Sequence, residues 1–171
     1  MKAYLLIFTG IAAAFAAMSC TGIRKENIID PGMPVHHDDF EYAVVDYKKT
    51  RELKLKDETV TANGVFYIVT FKVKNKALRG DHAWDNRIAY LIADDSSTYE
   101  NNVALQKKMN DSASFGFKEE YVTPFHSEET TQLIFDMPVT TEKPYLKVRG
   151  KILLVDFLDG SQFEETKVKL F

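Results

Sequence analysis

Eleven consecutive residues, Val65 to Asn75, fix the secondary-structure class of this chain more tightly than any other stretch. Val65, Tyr67, Val69, Phe71 and Val73 fall on one face of an extended backbone, and Thr70, Lys72 and Lys74 on the other. A period of two is what a sheet with one buried side demands, and a helix of 3.6 residues per turn would scatter the same residues around its circumference. The rest of the chain must therefore supply strands that pair with this one and a second apolar layer that covers it.

Further strands are expected at Tyr42 to Tyr47, at Arg87 to Ala93, which is apolar on both faces, at Thr98 to Glu100 and at Thr131 to Met137, where Pro138 stops the ladder. Tyr145 to Phe157 is expected to bend at Gly150, and Asp159-Gly160 to turn the chain back into Gln162 to Leu170 as a hairpin. Asn63-Gly64 is a turn signal placed to launch the long strand, and Asp94-Asp95-Ser96-Ser97 closes the third one. Val103 to Met109 has the spacing for one or two helical turns within the least regular part of the chain, Asn101 to Phe117, and the longer loop from Asn101 to Glu129 is the expected binding surface. With about seven strands, no long amphipathic helix and no βαβ alternation, the expected fold is all-β: an antiparallel, immunoglobulin-like sandwich whose two sheets bury their apolar faces against each other. Twelve Phe and eight Tyr suit such a core.

The first 20 residues carry an address. Met1-Lys2 precedes an apolar stretch from Ala3 to Ala17, and Ala17-Met18-Ser19-Cys20 follows. A basic start, a short apolar segment and small residues before a cut are the layout of an export signal, and the segment is shorter than the roughly 20 residues of a spanning helix. Cys20 is the only cysteine, so no disulfide within the chain explains it. The stretch resembles the bacterial lipoprotein signal, with Ala17 where Leu is commonest. That resemblance implies diacylglycerol on the Cys20 thiol, cleavage before it, and a membrane anchor of about 0.8 kcal/mol per buried methylene. The expected organisation is a signal peptide over 1–19, a lipidated N-terminus and tether over 20–39, and the sandwich over 40–171. The tether is suggested by Gly22, Pro31, Gly32 and Pro34 without apolar periodicity. The residues after Cys20 lack the acidic run of some surface-exported lipoproteins, which points to the outer membrane with the domain facing the periplasm.

The domain itself resembles the telokin-like, immunoglobulin-like family found in bacterial lipoproteins. The resemblance is carried by Ala62 to Asn75, by Ile88 to Ala93 running into Asp94-Asp95-Ser96-Ser97-Thr98-Tyr99, and by Leu133-Ile134-Phe135-Asp136-Met137-Pro138. Ser96 and Ser127-Glu128-Glu129 stand where that family often has a glycine and a Pro-Gly pair. It implies a β-sandwich that binds something and names no catalytic residues.

Charge excludes one class of partner. The formal net charge is −3, and loss of the leader removes one of 22 basic side chains and none of 25 acidic ones, leaving −4. A nucleic-acid partner needs a basic face that this balance does not provide. Nucleophile-elbow, P-loop and dinucleotide fingerprints are absent, so neither an enzyme nor a cofactor is expected. His36-His37-Asp38-Asp39 is the one cluster with metal-ligand chemistry, although neighbours on an extended segment diverge and one ion would need help from His82, His126 or a carboxylate. Asp94-Asp95 with Glu100, and Asp156 with Asp159, fit turn chemistry better than acid-base work or calcium. Trp84, Tyr90 and Tyr99 fit packing better than stacking on a sugar or a partner. The expectation is a membrane-anchored, non-enzymatic module that takes a protein or peptide through its loops or a strand edge; metal or small-ligand capture is the alternative.

Overall fold

The computed structural model describes residues 26–37, 39–113, 118–149 and 166–171. Eleven strands and one helix of more than a turn occur among them: β1 Asn27–Ile29, β2 Val35–His37, β3 Phe40–Lys54, β4 Thr59–Asn75, β5 His82–Asp85, β6 Ala89–Ile92, β7 Thr98–Tyr99, α1 Val103–Ala113, β8 Glu120–Thr123, β9 Glu128–Met137, β10 Tyr145–Val148 and β11 Thr166–Lys169. One sheet runs β1-β11-β10-β6-β7, the other β2-β3-β4-β9, and β5 and β8 form a separate two-stranded ribbon. Facing sheets make this a β-sandwich, as the alternation required. All pairings are antiparallel except β1 with β11, which is parallel.

The long strand reads as its pattern demands. Tyr67, Val69, Phe71 and Val73 are sealed in the main core with Tyr42, Val44, Leu91, Leu133, Phe135 and Leu146. Burial of each such side chain contributes about 1.5–3 kcal/mol before the entropy of ordering is subtracted. The opposite face of β4 is also covered along half its length. Phe66 and Ile68 join Leu53, Ile134 and Leu105 in a second cluster, with Met109 packed against it, so α1 lies over the outside of the four-stranded sheet. Leu105 and Met109 are four apart and share a helical face, while Lys107 and Lys108 reach outward to Glu119 and Glu58 at 2.7 and 2.8 Å. Asn102 caps the helix by accepting the Leu105 N–H at 3.0 Å.

Three expectations need correction. The stretch assigned to a tether enters both sheets from Asn27 onward, because Asp30-Pro31-Gly32-Met33 is a turn rather than a spacer. The Met33 N–H reaches the Asp30 carbonyl at 3.2 Å, and Gly32 supplies the left-handed φ of 88° that the third turn position requires. Lys167 and Lys169 then pin β1 through Glu26 and Asp30 at 2.5 and 2.7 Å. Asn63-Gly64 does not turn the chain; both lie inside β4, and the β3–β4 reversal falls at 55–58, closed by the Leu55 N–H to the Glu58 carbonyl at 2.8 Å. The region from Asn101 is more regular than expected: the helical turns at Val103 to Met109 extend as α1 to Ala113, and β8 follows at Glu120–Thr123. The expected bend at Gly150, the apolar run Ile152 to Val155, the turn at Asp159-Gly160, and Cys20 with its leader lie outside the described residues.

Candidate functional site

Two places gather polar or apolar chemistry beyond what the fold needs. The first is a groove of about 680 Å³ lined by Arg87, Glu100, Asn101, Asn102, Val103, Asp136 and Arg149. Arg149 grips both oxygens of Glu100, through Nη1 at 2.7 Å and through Nη2, and donates to the Arg87 carbonyl at 3.0 Å. Its guanidinium also lies 4.6 Å from the Tyr90 ring centre. The hydrogen bond to Arg149 holds the Glu100 carboxyl below its ordinary range, against the opposing effect of burial, and raises Arg149 in return. Asp136 is occupied too: its carboxylate accepts from Asn63 N, Asn63 Nδ2 and Gly64 N at 3.0, 3.0 and 3.2 Å.

Behind the groove runs a buried polar network. Gln106, fully buried on α1, donates to Asn86 Oδ1 at 3.1 Å and accepts from Asn101 Nδ2 at 2.9 Å and from the Ile134 N–H at 3.1 Å. Asn86 donates to the Lys118 carbonyl at 2.6 Å, and Tyr121 shares a 2.6 Å hydrogen bond with Thr131. These bonds tie helix, ribbon and sheet into one unit. The second place is the end of the sandwich where the β2–β3 turn, the 76–81 connection and the β8–β9 turn meet. Asn75 joins them: its N–H reaches the Ser127 carbonyl, and Nδ2 reaches those of Gly80 and Thr123, all at 3.0 Å. Leu78 is 84% exposed, Phe125 55% and Val122 54% at this end.

The histidines also lie here. His36 and His37 are neighbours on β2 and so point to opposite faces. His36 Nδ1 lies 3.5 Å from Glu41, whose carboxylate also takes Lys76. His82 stacks on Phe40 at 3.9 Å and meets Tyr42 Oη at 3.0 Å. Among the described residues no three His, Cys, Asp or Glu side chains converge as a metal would need. The strand period turns His36 and His37 to opposite faces of β2. The Glu41 carboxyl is held below its ordinary 4.5, chiefly by the Lys76 hydrogen bond against the cost of burial, then by the charges of Lys76, His36 and Lys74. A depressed carboxyl stabilises the fold above its unfolded value and loses that contribution as pH falls through the folded one. Lys76→Met should therefore move Glu41 titration back up toward 4.5, read by carbon-13 NMR of its carboxyl, and cost the fold stability above that value, a deficit against the native chain that shrinks as pH falls.

The remaining sequence candidates are structural. Asp94 staples the 138–144 connection by accepting the Glu142 and Lys143 N–H groups at 2.9 and 2.8 Å, and Asp95 accepts the Ser97 N–H at 2.9 Å. Glu100 is the partner of Arg149 and not of Asp94. Trp84 is buried, stacked on Tyr121 at 4.0 Å with its Nε1 on Thr123 at 2.9 Å, Tyr90 lies under Arg149, and Tyr99 packs on the core. Asp156 and Asp159 lie outside the described residues. The groove itself was not anticipated, because Arg87, Asn101, Asp136 and Arg149 come from separate stretches that share no motif.

No family model matches the chain, and no curated protein matches it. Solved structures do. The yjhA protein of Bacillus subtilis is 8% identical and covers 83% of this chain and 98% of its own, with a TM-score of 0.57. A secreted protein from Mycobacterium tuberculosis is 13% identical, covering 75% of this chain and 92% of its own at a TM-score of 0.53. An uncharacterised β-sandwich protein from Clostridium difficile 630 is 11% identical, covering 86% and 96% at 0.51. At such identities the likeness concerns the fold alone, and the chain is a β-sandwich similar to proteins of unknown function.

Proposed function

We propose that this chain is a non-enzymatic lipoprotein of the cell envelope, anchored to the outer membrane through acyl chains on Cys20 and facing the periplasm. Its telokin-like sandwich engages a protein partner at the loop end that carries Leu78, Val122 and Phe125. The observation that supports this reading most is the exposure of Leu78 and Phe125 on connections that Asn75 ties together, with Val122 exposed beside them on β8. Exposed apolar groups on a rigid frame lose little conformational entropy when a partner covers them. The blunted sheet edge favours the loops over strand addition. Beyond Tyr42, where its pairing with β2 ends, the open side of β3 carries register shifts between Val44 and Asp46 and between Thr50 and Glu52, and presents Lys48, Lys49, Arg51 and Lys54, devices that discourage pairing there.

The test uses crosslinked membranes from cells making the native chain, Cys20→Ser, or the double variant Leu78→Asp with Phe125→Asp. The native chain should carry lipid by mass spectrometry and recover one stoichiometric partner, Cys20→Ser should leave the membrane fraction, and the double variant should stay anchored without the partner. A bare Cys20 thiol would overturn the anchor. Recovery of no partner, or of the same partner by the double variant, would overturn the loop interface.

A further inference from the structure

We infer that the open side of β3, with the β1–β2 turn beside it, docks on the anionic headgroups of the phospholipid bilayer that holds the chain. The inference rests on the Cys20 anchor proposed above and adds what that reading leaves open, the face that the domain turns to the membrane.

The tether sets the problem. Six peptide steps lead from Cys20 to Glu26, which Lys167 pins to β11, and a chain extends at most about 3.6 Å per step, or about 22 Å in all. A folded domain of about 150 residues has a radius of gyration of about 15 Å and is about 40 Å across. An anchor shorter than the body it holds keeps β1 close to the bilayer, so a side of the sandwich that adjoins β1 meets the headgroups. The turn after β1 leads directly to the edge of the other sheet, where the Gly32 N–H reaches the Val44 carbonyl at 2.7 Å. Met33 and Val45 flank that bond, and each is 52% exposed. From Val45 to its end, β3 presents Lys48, Lys49, Arg51 and Lys54 against Asp46 and Glu52, in a chain whose net charge is −3. Lys49 lies 4.9 Å from the Tyr67 ring centre, whereas Lys48, Arg51 and Lys54 are exposed and engaged by no ion pair among the described residues. Two exposed apolar side chains beside three unpaired cations match an anionic lipid interface, the apolar groups entering the acyl boundary while the cations sit among phosphates. The same charges oppose a strand from a second copy, which makes lipid the occupant. β3 runs away from the loop end, where Phe40 pairs with Asn75, so docking this stretch leaves Leu78 and Phe125 open to a protein partner.

The experiment reconstitutes the full acylated chain in vesicles of phosphatidylcholine alone and in vesicles with about 30% phosphatidylglycerol, whose surface potential attracts basic side chains. Flotation reads the anchor. A nitroxide on Val45→Cys or on Leu78→Cys reads the face, since acylation leaves the only native cysteine no thiol to label. In anionic vesicles the collision rate of the label at position 45 with a neutral, water-soluble nickel chelate should fall about threefold or more below its value in neutral vesicles, and that of the label at position 78 should not change. The triple variant Lys48→Glu, Arg51→Glu, Lys54→Glu should float equally and return the label at position 45 to its neutral-vesicle rate. A chain that does not float overturns the anchor and the docked face together. A floating chain whose label at position 45 stays open to the chelate in anionic vesicles, or stays protected in the triple variant, overturns the docked face alone. Protection that is equal in both lipids and fades as the protein is diluted among them assigns this side to a second copy and also overturns it.

Discussion

Gly64→Ala should destabilise the fold by about 3 kcal/mol or more, one of the largest losses available from adding a single methyl group. Strand glycines are usually tolerant sites, and the φ of Gly64 is not in the left-handed region, so the backbone conformation alone would accept alanine. The obstacle is a neighbour. A Cβ at this position would stand 2.1 Å from the Met137 carbonyl oxygen and 2.9 Å from the Val139 nitrogen, both backbone atoms with no rotamer to escape into. Relief requires β4 and the end of β9 to part where the Asp136 carboxylate also clamps Asn63 and Gly64, so the steric and hydrogen-bonding losses arrive together. Urea denaturation should show the midpoint fall by about 1.5 M, taking a slope near 2 kcal/mol per molar. Asp136→Asn keeps the shape and weakens the clamp, and should cost about 1–2 kcal/mol. A Gly64→Ala chain as stable as the native one would show that the two strands do not approach this closely.

That position also shows where the sequence could be misread. Asn-Gly is the commonest signature of a two-residue hairpin, and the pair sits just before the longest alternating run. Local propensity cannot distinguish a glycine selected for turning from one selected for lack of volume, since the deciding atoms, in Met137 and Val139, are more than 70 residues away. The main core was legible because its period is strict. The helix-covered face was legible in principle: Phe66, Ile68 and Ile134 interrupt the polar side of their strands, and apolar residues on both faces mean both faces are covered. β1 and β2 were hidden by the Pro and Gly residues of the turn between them, and β5 and β8 by being four residues long with few inward side chains apiece, Trp84 and then Tyr121 and Thr123. The groove was illegible for a physical reason: its lining comes from the β5–β6 turn, the α1 cap, β9 and the end of β10, which only the folded topology brings together.

The second large effect should come from Gln106. Gln106→Leu conserves size and helix propensity and adds apolar surface, so a simple burial account predicts little change or a gain. The hydrogen bonds predict the reverse. Leucine would leave the Ile134 N–H and Asn101 Nδ2 without their partner and Asn86 Oδ1 with only the Tyr121 hydroxyl at 3.5 Å, and at about 1–3 kcal/mol for each stranded group the loss should reach about 4 kcal/mol. The isosteric Gln106→Glu separates this network from packing. A buried carboxyl is pushed above its unfolded value of about 4.3, and only its protonated form can still donate to Asn86 while accepting from Ile134 and Asn101. Because the folded value is raised, the protonated chain keeps its stability below the unfolded value, and that stability is lost as pH rises through the window between the two. Measured against the native chain at each pH, the deficit of Gln106→Glu should be small near pH 4 and approach that of Gln106→Leu near pH 7. A deficit independent of pH, or a Gln106→Leu chain of native stability, would mean that α1 is held by Leu105 and Met109 alone. The polar network would then be a by-product of their packing.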